Sequence, residues 1–277
     1  MSGDFHSGYC AIVGRPNVGK STLLNSLINF KLSAVTSKPQ TTRNQITGIL
    51  NGKNYQAIFI DTPGILTPKY KLQKSMQIEI QEAIASADLF VLVVEPFKMP
   101  DTQEEQLIKE IIVKATILAI NKIDQAEKDS LLPLIEQLQR YSFKEIHPIS
   151  ALNNNGIEEL KKSIIKNLPI GQPFYGQDQI TIRNERFFAA ELIRESIFKY
   201  YGEEIPYCTI VEIEEFTERQ NSKDYIRAVI YVERVTQRAI ILGKGGQAIK
   251  RMGSIAIQTG NHNGRTKRWR AKSPRKV

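Results

Sequence analysis

Gly14-Arg15-Pro16-Asn17-Val18-Gly19-Lys20-Ser21 is the stretch on which the fold turns. It fits G-x-x-x-x-G-K-[ST], with a short apolar run, Tyr9–Val13, before it and a helix-like stretch, Ser21–Ile28, after it. Gly14 and Gly19 let the backbone wrap a phosphate with its N–H groups inward. The following helix adds its positive end. Lys20 supplies a cation for β- and γ-phosphates, and Ser21, followed by Thr22, offers a hydroxyl to Mg²⁺. A strand, a glycine loop and a helix in this order imply a mostly parallel α/β sheet and a nucleoside triphosphate. They leave the base open.

Working outward, Asp61-Thr62-Pro63-Gly64 ends the strand-like run Tyr55–Ile60. A carboxylate there holds Mg²⁺, through water. Gly64 brings its N–H against a γ-phosphate and swings away once that phosphate has left. Asn121-Lys122-Ile123-Asp124 follows a buried strand, Thr116–Ile120, and decides the base. The Asp124 carboxylate accepts from the N1–H and exocyclic amine of guanine. Adenine lacks both donors, and a site built to bond a group rejects the analogue without it by roughly 10⁴–10⁵. Asn121 ties this loop to the glycine loop, the stem of Lys122 covers the base plane, and Ser150-Ala151 supports the guanine oxygen.

These four motifs resemble those of translation-factor-like GTPases, in the same order. The resemblance implies a switch threonine in Gln40-Thr41-Thr42-Arg43. Thr42 is assigned to Mg²⁺ and the γ-phosphate, with Thr41 as the alternative. Lys20, Thr42 and Gly64 are then the candidates for direct action on the phosphate, and Ser21, Thr42 and Asp61 for the metal. Ile65 stands where Ras-like enzymes carry a water-orienting glutamine, so slow intrinsic hydrolysis is expected. GTPases with a hydrophobic residue there include several that carry an asparagine like Asn17 and use K⁺. Equal rates in sodium and potassium would exclude that here. Arg15 and Arg43 read as solvated loop charges, and Glu95 as a cap or loop charge.

The chain has 277 residues, which predicts two domains, and ordinary globular composition, with 41% hydrophobic and 24% charged residues. Its longest apolar run, Leu89–Val94, is too short to cross a bilayer, and its first ten residues lack the apolar core of a signal peptide. Two cysteines make no disulfide scaffold, and Cys10 reads as core; a cytoplasmic location is expected. Strand-like and helix-like segments alternate through residues 1–168, with a hairpin turn placed around Asn51-Gly52. Residues 169–184 read as a linker.

The second half, 185–257, opens with a helix and two strand-like runs, joined by a polar turn around Asn221-Ser222. Gly243-Lys244-Gly245-Gly246 follows between helical stretches. It fits G-x-x-G, the backbone clamp of KH modules on single-stranded nucleic acid, with Lys244, Lys250 and Arg251 as nearby cations. Net charge is +9, yet the first 233 residues hold 26 basic against 29 acidic side chains. From Arg234 onward there are 12 Lys/Arg and no acid, so the excess sits where a polyanion is expected.

A P-loop GTPase joined to a KH module resembles the Era family of bacterial ribosome-assembly GTPases. The likeness runs roughly from Tyr9 to Ile257 and includes Gln179-Ile-Thr181, Arg186-Phe187 and Glu191-Leu-Ile-Arg-Glu195. It implies an α/β P-loop GTPase domain followed by a smaller α+β type II KH domain. It also implies GTP, GDP and Mg²⁺ as cofactors, and 16S ribosomal RNA near its 3′ end and the 30S precursor as partners. A monomer and peripheral association with the inner membrane are further implications. The alternative function is a nucleotide-regulated RNA- or membrane-surface-binding module with negligible hydrolysis. The C-terminus departs from the family: members lengthen the last helix and add a third strand, whereas residues 258–277 show neither pattern and read as a basic tail.

Overall fold

The computed structural model describes residues 4–65, 71–126, 128–219 and 224–262. The chain divides into two compact units. One takes the residues up to Ser33 together with Thr42–Ile182; the other takes Ala34–Thr41 and the residues from Arg183 onward.

In the first unit, six strands form one sheet: β1 (His6–Val13), β2 (Ile46–Gly52), β3 (Tyr55–Asp61), β4 (Leu89–Val94), β5 (Ala115–Ile120) and β6 (Ile146–Pro148). Their order is β2-β3-β1-β4-β5-β6, with only β2 antiparallel to its neighbour. Five helices cover it: α1 (Lys20–Ile28), α2 (Lys71–Ser86), α3 (Thr102–Ile111), α4 (Lys128–Leu138) and α5 (Ile157–Asn167). Burial on both faces explains why β4 reads as an unbroken apolar run. Ala11, Val13 and Leu92 join Ile80 and Ala83 of α2, Ile108 of α3 and Leu134 of α4 in one core layer. The alternate residues of β1, Cys10 and Ile12, are fully buried on the other face, which α1 and α5 cover. The chain leaves β1 toward β3 on one side and β4 on the other. The loops at the carboxyl ends of these strands therefore open a crevice, the usual ligand position of such sheets.

Two sequence expectations change here. The hairpin pairs Gly52 with Tyr55, so its two-residue turn is Lys53-Asn54 rather than Asn51-Gly52; Asn51 is still inside the ladder. The linker is not a free tether either. Residues up to Ile182 are strapped to the first unit, where Ile49 N–H donates to Ile180 O (2.9 Å) and Thr181 Oγ1 to Thr47 O (2.7 Å). The Gln56 side chain accepts from the amides of Phe174 and Tyr175, and Tyr9 packs edge-on to Phe174. The strap covers the outer edge of β2, an edge that would otherwise offer unpaired backbone groups.

In the second unit, α6 (Glu185–Tyr200), α7 (Val235–Leu242) and α8 (Gln247–His262) pack on an antiparallel pair, β7 (Thr209–Thr217) and β8 (Tyr225–Val232). Asn184 caps α6, accepting from Phe187 N–H at 3.0 Å. Helix α6 is buried on most of its circumference, from Phe188 and Leu192 to Glu191, Arg194 and Ser196, which suits a central helix. Ile197, Ile241 and Met252 form its main core. Helix α8 runs to His262, so residues 258–262 are helical and not part of a structureless tail. The readings made for residues 263–277 and for the Asn221-Ser222 turn lie outside the described residues. No helix among the described residues is long and apolar enough to cross a membrane.

Candidate functional site

The glycine loop sits at the carboxyl end of β1. Gly14 has φ 146°, and a Cβ there would lie 2.3 Å from the Val93 carbonyl oxygen. Gly19 has φ 99°, and its Cβ would meet Asn121 Nδ2 at 2.2 Å. Asn17 is also left-handed, φ 65°. Such a run of left-handed residues turns successive N–H groups into one concavity. Lys20 is buried, and its Nζ donates to Gly14 O (3.0 Å) and Arg15 O (2.7 Å). Burial pushes its ammonium down to about 8, against the pull of Asp61 and Glu104.

Ser21 of α1, Thr42 of the loop before β2 and Asp61 of β3 meet. Ser21 Oγ donates to Asp61 Oδ2 at 2.6 Å and lies 2.7 Å from Thr42 Oγ1. Asp61 Oδ1 is buried without a hydrogen-bond partner among the described residues. Burial pushes this carboxyl up, while the Ser21 hydroxyl and the Lys20 cation pull it back. Two hydroxyls and a carboxylate with a spare buried oxygen are a hard, all-oxygen donor set, which fits Mg²⁺. Thr41, the alternative, points its hydroxyl elsewhere, to Thr36 Oγ1 (2.6 Å) and Lys38 O (2.8 Å). Thr62 Oγ1 donates to Ile12 O, fastening the Asp61 loop to β1. Pro63 follows it, and the position of Gly64 is so close to Pro16 that a Cβ would fall 2.5 Å from Pro16 N. Ile65 N–H donates to Gly14 O, and the Ile65 side chain packs on the core layer beside β1.

The loop proposed to read the base, Asn121–Asp124, is held from three sides. Asn121 Nδ2 donates to Val18 O (2.8 Å), and Asn121 Oδ1 accepts from Ala151 N–H (2.9 Å). The Ala151 amide is therefore committed to Asn121, a different bond from the guanine-oxygen support expected of Ser150-Ala151. Ser150 Oγ instead donates to Asp124 Oδ1 at 2.5 Å. Lys122 is left-handed, φ 66°, and its ammonium pairs with Glu95. Glu95 is thus a partner of the base loop and not a loop charge. Ile123 N–H donates to Ile149 O, and Ser26 of α1 donates to Ala151 O.

Arg15 is not a solvated charge. Its Nη2 lies 2.8 Å from Asp101 and 2.7 Å from Glu104 at the start of α3. Burial pushes the Glu104 carboxyl up, with Arg15 opposing, so the pair is a linked unit. Arg43 is buried as well. The sequence carried no signal for either placement, because the partners of Arg15 are some 90 residues away.

In the second unit, Gly243 (φ 66°), Gly245 (φ 60°) and Gly246 (φ 76°) make the turn between α7 and α8. Gly243 packs so tightly that a Cβ would lie 2.6 Å from that of Ala248; around Gly245 there is open space. Lys244, Lys250 and Arg251 belong to this turn and the helix after it, and all three are exposed. Tyr201 Oη donates to Ile241 O (2.7 Å), fixing the end of α7 just before the turn.

Two family models match: a 50S ribosome-binding GTPase over residues 9–122 and a KH domain over residues 204–260. GTPase Era of Lactobacillus helveticus is 44% identical over 253 residues, covering 90% of this chain and 84% of the relative.

The chain belongs to the Era family of GTPases.

GTPase Era of Geobacter metallireducens is also 44% identical, over 91% of this chain and 86% of its own. Among solved structures, a single-residue variant of Aquifex aeolicus Era bound to GDP·AlF₄⁻ superposes with a TM-score of 0.89 at 36% identity, covering 95% of this chain and 91% of that one. Era in complex with MgGDPNP and nucleotides 1506–1542 of 16S ribosomal RNA gives 0.88 at 37% identity, covering 94% and 90%. As an Era-family member the chain is a GTPase with a C-terminal KH domain. The KH match ends at residue 260.

Proposed function

We propose that this GTPase is a GTP-gated RNA-binding switch that engages the 3′ end of 16S ribosomal RNA and assists assembly of the 30S subunit. The observation that supports it most is the pairing of a GTPase domain with a G-x-x-G turn in a chain 37% identical to an Era solved with that RNA and MgGDPNP. Ser21, Thr42 and Asp61 are the residues that hold Mg²⁺, which when bound neutralises charge on the β- and γ-phosphate oxygens. Lys20 serves the same oxygens from within the glycine loop. Asp124, held by Ser150, reads guanine. Thr42 and Gly64 sense the γ-phosphate and relax on its loss. Ile65 is engaged with the core and has no group to orient water, so intrinsic turnover is slow and rises on the ribosomal precursor. Gly243–Gly246 admit the RNA backbone closely, with Lys244, Lys250 and Arg251 supplying charge. This reading puts the protein in the cytoplasm as a monomer, with a peripheral membrane contact through the basic C-terminal segment.

The test is binding of a labelled single strand matching the 16S 3′ end against a scrambled strand, with a non-hydrolysable GTP analogue or GDP present. Preference for the cognate strand in the GTP-analogue state is expected. Equal, salt-sensitive binding of both strands would reject the assembly role and leave a basic anchor on a GTPase.

A further inference from the structure

Strands β1 and β4 are parallel neighbours, with Val13 opposite Leu92. The connections that leave their carboxyl ends therefore start side by side. One is the glycine loop; the other is residues 95–101, which lead into α3. Arg15 joins the two. Its Nη2 lies 2.8 Å from Asp101 Oδ2 and 2.7 Å from Glu104 Oε2. The same nitrogen reaches Met99 O at 3.5 Å.

The α3 side of this contact is rigid without Arg15. Asp101 Oδ1 accepts from the amides of Gln103 and Glu104, and the Glu104 carboxylate accepts from the Asp101 amide. Such a reciprocal cap fixes both acids on the first turn. Ile108 and Ile111, fully buried, anchor the helix behind them. Glu104 is the firmer grip: its side chain is 4% exposed against 56% for Asp101, so water and salt screen it far less. The glycine loop needs such support. Its Asn17 is left-handed, φ 65°, a conformation that persists where the surroundings over-determine it.

Arg15 Nε is buried with no hydrogen-bond partner among the described residues. An apolar side chain would fill the same space without an unmet donor, so the grip of Nη2, and not packing, accounts for an arginine here. Arg15 also carries a carbonyl on which Lys20 rests. Lys20 Nζ donates to Arg15 O at 2.7 Å and to Gly14 O at 3.0 Å. A residue before proline is confined to extended backbone, and Pro16 follows Arg15. Holding the Arg15 side chain therefore also holds the direction of its carbonyl. The Glu104 charge further favours the ammonium form of Lys20.

We propose that Arg15, held by Glu104 and Asp101, is a positioning residue for the phosphate-binding loop. The brace on α3 sets the Arg15 carbonyl and so places Lys20 for the β-phosphate before nucleotide arrives. This rests on the reading of residues 14–21 as the phosphate loop. Every part of it lies within the first compact unit.

The experiment measures GDP and GMP affinity, with Mg²⁺ present, for the full-length protein and for Lys20→Met, Arg15→Met, Glu104→Gln and the double variant Arg15→Met/Glu104→Gln. Thermal unfolding is recorded for each, and affinities are expressed per folded molecule. GMP lacks the β-phosphate that Lys20 serves, so a defect of this loop falls on GDP and spares GMP. In Arg15→Met, GDP affinity falls by about 10- to 100-fold, the scale of a group misplaced by about 1 Å, and GMP affinity is unchanged. Glu104→Gln loses less, because Asp101 remains. The double variant loses no more than Arg15→Met alone, since both changes remove one contact. The sign for Glu104→Gln separates positioning from a simple countercharge: if Arg15 only screened the acids, removing a carboxylate near the phosphates would tighten GDP. Tighter GDP binding in Glu104→Gln refutes the positioning role, as do equal losses of GDP and GMP in Arg15→Met. Lys20→Met is the control for the loop itself. If it keeps wild-type GDP affinity, the phosphate-loop reading fails and the proposal falls with it. If it loses GDP while Arg15→Met does not, the positioning role alone is refuted and the Arg15 cluster is a structural tie.

Discussion

At the residue scale, the proposed base choice rests on one carboxylate. Asp124 is oriented by Ser150 through a 2.5 Å bond, so its other oxygen and its direction are set before any base arrives. Asp124→Asn replaces an acceptor with a donor opposite the guanine amine. Equilibrium binding should show GTP weakened by at least about 10²-fold and xanthosine triphosphate gained, because the amine donor of guanine becomes a carbonyl acceptor in xanthine. Unchanged GTP affinity would remove Asp124 from the base-reading role. The same residue illustrates what was legible. Asn-Lys-x-Asp after a buried strand is a local signature, and its place beside the glycine loop follows from strand order. The bond from Ser150, the pairing of Lys122 with Glu95 and the bond from Ala151 to Asn121 were not legible, since each joins residues separated by some 25 or more positions.

At the element scale, the start of α3 carries more than a cap. Asp101 accepts from the amides of Gln103 and Glu104, both at 3.0 Å, and also meets Arg15 of the glycine loop. Its carboxyl is held below the usual range first by the Glu104 amide, with Arg15 helping. A carboxyl lowered on folding adds stability above its unfolded value and loses it as pH falls through the folded one. Asp101→Ala should therefore lower stability at pH 7 by about 1 kcal/mol, the typical worth of such a cap. Urea titrations at pH 7 and near pH 3 test this; a loss that is the same at both would show that the charged cap is not its source. The helix itself was readable from the spacing of Leu107, Ile108 and Ile111. The use of its first turn as a brace for Arg15 was not.

At the scale of the whole molecule, the proposed RNA binding has two separate contributions, charge and clamp. Residues 265–277 hold seven Lys/Arg. Removing residues 263–277 should make the fall of log affinity with log salt shallower by up to about 5, at roughly 0.7 per phosphate contact on a single strand. The nucleotide-dependent preference for the cognate strand that we propose for Gly243–Gly246 should survive. An unchanged salt slope would show that these cations do not reach the strand.

The sequence by itself determined the two-part architecture, the α/β sheet with its guanine-nucleotide motifs, the KH-type turn and the family. Such features are written in short windows: glycines where φ must be positive, apolar runs where both faces are buried, a carboxylate after a strand. Only the tertiary structure decided which of Thr41 and Thr42 faces Ser21, what holds Arg15, that residues 169–182 are a strap on a sheet edge, and that Ala34–Thr41 packs with the second unit. Those outcomes depend on pairings between residues that are distant along the chain, such as Thr41 with Arg194 and Ile49 with Ile180. No local propensity or spacing records such a pairing, because it exists only once the intervening elements have packed.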